Sequence, residues 1–105
     1  MSLNKYPVRL LSLAEKDLEE LLTYVAAENA TAALTLADQI EKELLSLGAY
    51  PWLGKIPNDQ SLAGMGYRVL VVENYLIFYK VVGKAVLVYR IIHGARDLPS
   101  LLKDL

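Results

Sequence analysis

The chain has 105 residues, 54% of them hydrophobic and 22% charged, with a formal net charge of −1; this supports one domain with a real core and excludes both a second domain and a disordered tract. It has no cysteine and a single histidine, which excludes disulfides and thiolate metal sites, so no metal or cofactor is expected. No apolar run nears the roughly 20 residues of a membrane span, and no signal-peptide core precedes the acidic run Glu15, Asp17, Glu19 and Glu20, so a protein of the reducing cytoplasm with no membrane partner is expected.

Tyr6 to Leu11 is a short apolar run around Pro7, which suits an edge strand because proline cannot donate to a ladder. Ser12 and Glu15 have the spacing of a capping box, and Leu18, Leu21, Leu22 and Val25 recur at helical spacing, predicting a helix over 13–28. Thr31 is placed to cap a second helix whose Ala33, Leu36, Ala37, Ile40, Leu44 and Leu47 share one face, with Gly48 ending it. The short connection makes the two helices an antiparallel hairpin, whose acidic outer faces read as solvated surface.

Residues 48–66 hold Pro51, Gly54, Pro57, Asn58, Gly64 and Gly66 and are expected to form an irregular crossover. From Tyr67 the texture turns β-branched and aromatic. Strands over 67–72, 75–82 and 85–92, joined by turns at Glu73-Asn74 and Gly83-Lys84, form a three-stranded antiparallel meander. The near-continuous apolar runs call for cover on both faces, one by the helix hairpin and the other by something further, such as a partner chain. Asp97-Leu98-Pro99 opens a short C-terminal helix carrying Leu101, Leu102 and Leu105. The expected fold is α+β, a single domain over 1–105 packed on an antiparallel sheet. Charge divides unevenly: residues 1–48 carry four basic and eight acidic side chains, net −4, and residues 49–105 seven basic and four acidic, net +3, so an anionic partner should meet the second half.

The stretches Tyr67-Arg68-Val69-Leu70-Val71-Val72-Glu73-Asn74-Tyr75-Leu76-Ile77-Phe78-Tyr79-Lys80-Val81 and Val88-Tyr89-Arg90-Ile91-Ile92-His93-Gly94-Ala95-Arg96-Asp97-Leu98-Pro99 resemble the RelE/ParE superfamily of bacterial toxin-antitoxin toxins, the second being similar to its ParE-type signature. The resemblance implies one fold with two activities, ribosome-dependent cleavage of mRNA in the RelE type and poisoning of DNA gyrase by binding in the ParE type. RNA cleavage needs clustered cations and an acid-base group. At the positions matching the RelE-type catalytic set this chain has Arg68, Leu70, Leu76, Arg96 and Leu102, and leucine can neither move a proton nor offset phosphate charge. The resemblance therefore implies a ParE-type toxin of a plasmid-stabilisation module, neutralised by a cognate antitoxin, alone as a homodimer or with it as a heterotetramer.

The alternative is a ribonuclease acting on mRNA in the ribosome through Arg68, His93 and Arg96, although a lone histidine at a strand end is more often structural. Arg90, inside an apolar strand, needs an internal salt bridge. Arg68 and Arg96 suit a partner carboxylate or phosphate, or a local pairing. Tyr67, Tyr75, Tyr79 and Tyr89 read as core packing rather than a base-stacking platform. Trp52 reads as a plug over the core, against the other reading of an exposed anchor. The expected partner-binding set is Trp52, Arg96, Asp97, Leu98, Leu101 and Leu102.

Overall fold

A computed structural model describes residues 5–94 of the chain. The elements are β1 (Val8–Leu10), α1 (Ser12–Glu28), α2 (Ala30–Ala49), α3 (Gln60–Gly64), β2 (Tyr67–Val72), β3 (Tyr75–Val82) and β4 (Ala85–His93). They make one four-stranded sheet in the order β1-β4-β3-β2 with the α1–α2 hairpin on one face. The α+β class, the edge strand, the hairpin and the antiparallel meander are as the sequence predicts; the expected C-terminal helix lies outside the described residues.

The local signals differ in detail. Ser12 is not a cap. Pairing with β4 continues to Leu11, whose N–H donates to the Val88 carbonyl at 2.9 Å, so the chain turns from strand into helix with Leu11 as N-cap and no side-chain capping bond. Asn29, not Thr31, caps α2: its side-chain oxygen accepts from Ala32 N at 2.9 Å, and its extended backbone is the single-residue break between the helices. Gly48 does not end α2, which runs on through Ala49. Its role is close approach, since the Tyr6 N–H donates to the Gly48 carbonyl at 2.8 Å and a Cβ there would lie 2.9 Å from the Tyr6 carbonyl oxygen. The crossover is not wholly irregular either, because Asp59 caps the short α3 by accepting from Leu62 N at 3.0 Å.

The sheet is mixed rather than antiparallel throughout. β1 lies parallel to β4, with Val8 opposite Val86 and Leu10 opposite Val88, while β2–β3 and β3–β4 are antiparallel. Period-2 patterning marks a strand but carries no direction.

The main core lies between hairpin and sheet, where Leu36, Ile40 and Leu47 of α2 meet Leu70, Val72, Ile77, Tyr79, Val86, Val88 and Ile91. Each fully buried Leu or Ile stabilises the fold by roughly 1.5–3 kcal/mol. On the opposite face Leu62 of α3 packs with Tyr67, Phe78 and Ile92. The cover expected from elsewhere thus comes in part from this chain's own crossover.

A buried ion pair enters the main interface. The Arg90 guanidinium donates to the Asp17 carboxylate from Nε (2.7 Å) and Nη2 (2.9 Å), and the Ile91 N–H donates to the same carboxylate at 3.0 Å. The site is a β-bulge: Phe78 pairs with Arg90 and Tyr79 with Val88, which leaves Tyr89 extra in β4. The salt bridge expected of Arg90 is present, and Asp17 is not part of the solvated acidic face of α1. Because the two side chains are only 11% and 12% exposed, Asp17→Ala should lower the unfolding free energy in urea by about 3 kcal/mol, while a double replacement of Asp17 and Arg90 by apolar residues should cost less.

Candidate functional site

The predicted site residues within 5–94 are Trp52, Arg68 and His93, and the fold does not bring them to one place. Arg68 pairs with Tyr79 across β2–β3, and His93 with Tyr75 across β3–β4. Four residues of β3 separate the two levels, about 14 Å along the strand, and Arg68 and His93 are also two strands apart. Leu70 and Leu76, matched above to positions of one catalytic set, lie on opposite faces of the sheet, Leu70 beneath the helices and Leu76 beside Phe78 and Ile92. Arg96, Asp97, Leu98, Leu101 and Leu102 lie outside the described residues.

Around Arg68 the crossover is held by tertiary bonds. Arg68 Nη1 donates to the carbonyls of Gly54 (2.8 Å) and Trp52 (3.2 Å), and its guanidinium lies 5.2 Å from the Trp52 ring centre. The Gly54 N–H donates to the buried Tyr79 hydroxyl at 2.8 Å. Lys55 and Val69 exchange two backbone hydrogen bonds of 2.8 Å, adding a one-residue bridge to the outer edge of β2. The Trp52 side chain, 60% exposed, is no plug over the core; tethering the backbone from within turns the indole outward. Arg68 uses the local option open to it and satisfies loop carbonyls.

At the other end of the sheet a cleft of about 590 Å³ is lined by Asp17, Glu20, Tyr24, Tyr75, Ile91 and His93, among others. The His93 ring meets Tyr75 edge-on at 5.3 Å between centres. Asp17 is already engaged by Arg90 and Ile91. With the Asp17 charge offset by Arg90, Glu20 is the acid that lends this cleft its negative character.

A third cluster, on the face opposite the hairpin, adds Lys80 to two of the expected core tyrosines, Tyr67 and Tyr89. Lys80 Nζ lies 4.4 Å from the Tyr67 ring centre and 5.4 Å from that of Tyr89, and the two rings meet edge-on at 5.1 Å. The signal for it is Lys80 itself, a cation in an apolar strand on the face of Leu76 and Phe78, whose half-buried stem lies against aromatic rings. Burial, with the neighbouring Tyr89, raises the Tyr67 pKa above its ordinary 10.0. Burial also raises that of Tyr79, against the lowering effects of the Gly54 hydrogen bond and the Arg68 charge. Among the described residues no group of three His, Cys, Asp or Glu is placed to hold a metal, and no helix is long and apolar enough to cross a membrane.

The family described as the ParE toxin of type II toxin-antitoxin systems, parDE, matches residues 8–98. Among solved structures, a chain of a chromosomal ParDE toxin-antitoxin system from P. aeruginosa superposes with a TM-score of 0.70 at 19% identity, covering 86% of this chain and 97% of that one. A chain of the RelBE2 toxin-antitoxin complex from Mycobacterium tuberculosis gives a TM-score of 0.57 at 24% identity, covering 85% and 98%. At these identities the likeness to the two structures is one of fold. No curated protein matches the chain.

Two outcomes check this geometry. Gly54→Ala would place a Cβ 2.7 Å from the Tyr79 ring and hydroxyl and should cost about 1–3 kcal/mol in chemical denaturation. Both raised phenols ionise later in the folded than in the unfolded chain, so above pH 10.0 the unfolded chain holds fewer protons. Their contribution to stability should therefore be complete below that pH and be lost as pH rises through the raised values, with part of the loss removed in Tyr79→Phe. Denaturation curves across alkaline pH, with phenolate absorbance read alongside, measure it.

Proposed function

The chain belongs to the ParE toxin family of type II toxin-antitoxin systems, and from that premise we propose that it is a toxin that poisons DNA gyrase by binding it and that a cognate antitoxin neutralises it. The observation that supports the choice of target is the separation of two of the ribonuclease candidates, Arg68 and His93. Arg68 is bonded to the carbonyls of Trp52 and Gly54, and His93 lies at the other end of the sheet in the cleft that Glu20 lines. Phosphoryl transfer to the 2′-hydroxyl needs cations and an acid-base group within a few ångströms of one phosphate. Separation by about 14 Å along β3 favours binding over cleavage.

The antitoxin is proposed as a segment that orders on this surface, a mode that suits concave, partly apolar ground such as the Tyr24–Tyr75 cleft. Across both partners, target and antitoxin together, Trp52, Arg96, Asp97, Leu98, Leu101 and Leu102 are the proposed partner-binding residues, and cytoplasm is the proposed compartment.

The experiment is induction of the chain in bacteria without antitoxin, following growth, the DNA-damage response and mRNA integrity together. Growth arrest with DNA damage and intact mRNA is expected. Codon-spaced mRNA cleavage that disappears in Arg96→Ala would instead establish the ribonuclease and overturn the gyrase reading. Removal of residues 97–105 should weaken the arrest; undiminished toxicity removes that segment from the partner-binding set.

A further inference from the structure

The crossover after α2 exposes Tyr50, Trp52, Leu53 and Ile56, at 67%, 60%, 49% and 63%, within seven consecutive residues. Adjacent large apolar side chains left in water are a cost that a flexible loop would reduce by folding them inward. This backbone is not free to do so. The Tyr79 hydroxyl holds the Gly54 N–H, Arg68 holds the Trp52 and Gly54 carbonyls, and the Lys55–Val69 bridge fixes the strand edge. The backbone that carries these side chains is thus held from beneath, so little backbone ordering entropy remains to be lost when a partner covers them.

Two cations stand at this patch. Lys55 is the sole charged residue in 49–58, and the Arg68 guanidinium stands beside the Trp52 ring. The nearest acid in sequence, Asp59, keeps its charge but is held as the cap of α3, accepting from Leu62 N beyond the apolar run 50–56. An aromatic and aliphatic centre with cations at its margin is the composition of an interface hot spot whose partner is apolar at the centre and acidic at the rim.

We propose that the Trp52 loop is the surface by which this chain grips its target, and that the target presents a preformed apolar pocket with an acidic rim on a folded protein. The inference rests on the toxin reading above and deepens it by locating the contact. A folded target suits this tethered, exposed loop; an antitoxin that orders as it binds is better served by the cleft at the far end of the sheet, which leaves the two surfaces separable.

The test uses the full chain with Trp52→Ala, Ile56→Ala and Lys55→Glu, induced in bacteria without antitoxin and, purified, titrated against DNA gyrase and against the antitoxin encoded beside it. Circular dichroism and the thermal midpoint identify any variant that fails to fold, in which case the remaining two decide. The expected result is antitoxin affinity within about twofold of wild type, relief of growth arrest, and about tenfold or greater loss of gyrase inhibition. Lys55→Glu should lose more at low salt than at high salt. Folded variants as toxic and inhibitory as wild type, or that lose antitoxin and target together, overturn the proposal. If wild type arrests growth but leaves gyrase active, the gyrase reading fails alone, and relief of arrest by Trp52→Ala still decides the location of the target surface. A wild-type chain that arrests nothing overturns both.

Discussion

The Asp17 carboxylate joins the two layers of this fold. It accepts two hydrogen bonds from Arg90 and one from the Ile91 backbone, where the extra residue Tyr89 interrupts the regular pairing of β3 and β4. Burying the pair costs desolvation that its attraction repays only in good geometry, so its net stabilisation is small. Its discriminating power is larger. A helix shifted by one turn, or a strand shifted by one residue, would leave a carboxylate and a guanidinium buried apart. The bulge, the seating of α1 and the wall of the adjoining cleft are thus fixed by one interaction between residues 73 apart in sequence.

A second anchor sets the opposite end of the sheet. Tyr79 is fully buried among core residues yet ends in a hydroxyl that holds the Gly54 N–H, and only glycine fits so near its ring. Arg68 completes the arrangement by satisfying the loop carbonyls. Core packing is thereby transmitted to a surface loop: the same tyrosine that fills space beneath the helices determines that Trp52 points to solvent. The two ends differ in character, concave with Glu20 in the lining near His93, and apolar and exposed beside the cations Lys55 and Arg68 near Trp52.

Membership of the ParE toxin family fixes the architecture without fixing the target, since one fold hosts unrelated activities according to the side chains it displays. Position on the sheet matters here more than residue type. Arg68 and His93 are each plausible ribonuclease groups taken singly; strand register keeps them apart. Leu70 and Leu76, compared as members of one catalytic set, are on opposite faces, Leu70 within the helix-covered core.

The sequence by itself determined the elements, because their signals are local: helical spacing in Leu18, Leu21, Leu22 and Val25, β-branched and aromatic runs from Tyr67, turns at Glu73 and Gly83, and a guanidinium at Arg90 that had to find an acid. Family resemblance in the stretches around Arg68 and His93 added the class of protein. Caps were less legible, since Ser12, Thr31 and Asn29 all have the right chemistry and only the reach of β1 to Leu11 and the tight helix hairpin chose among them. The tertiary structure alone decided that β1 runs parallel to β4, that Asp17 is Arg90's partner, that α3 covers part of the second sheet face and that Trp52 faces water. The reason is physical: periodicity records that a residue is buried, whereas what it is buried against depends on segments far along the chain that come together only when the whole sheet closes.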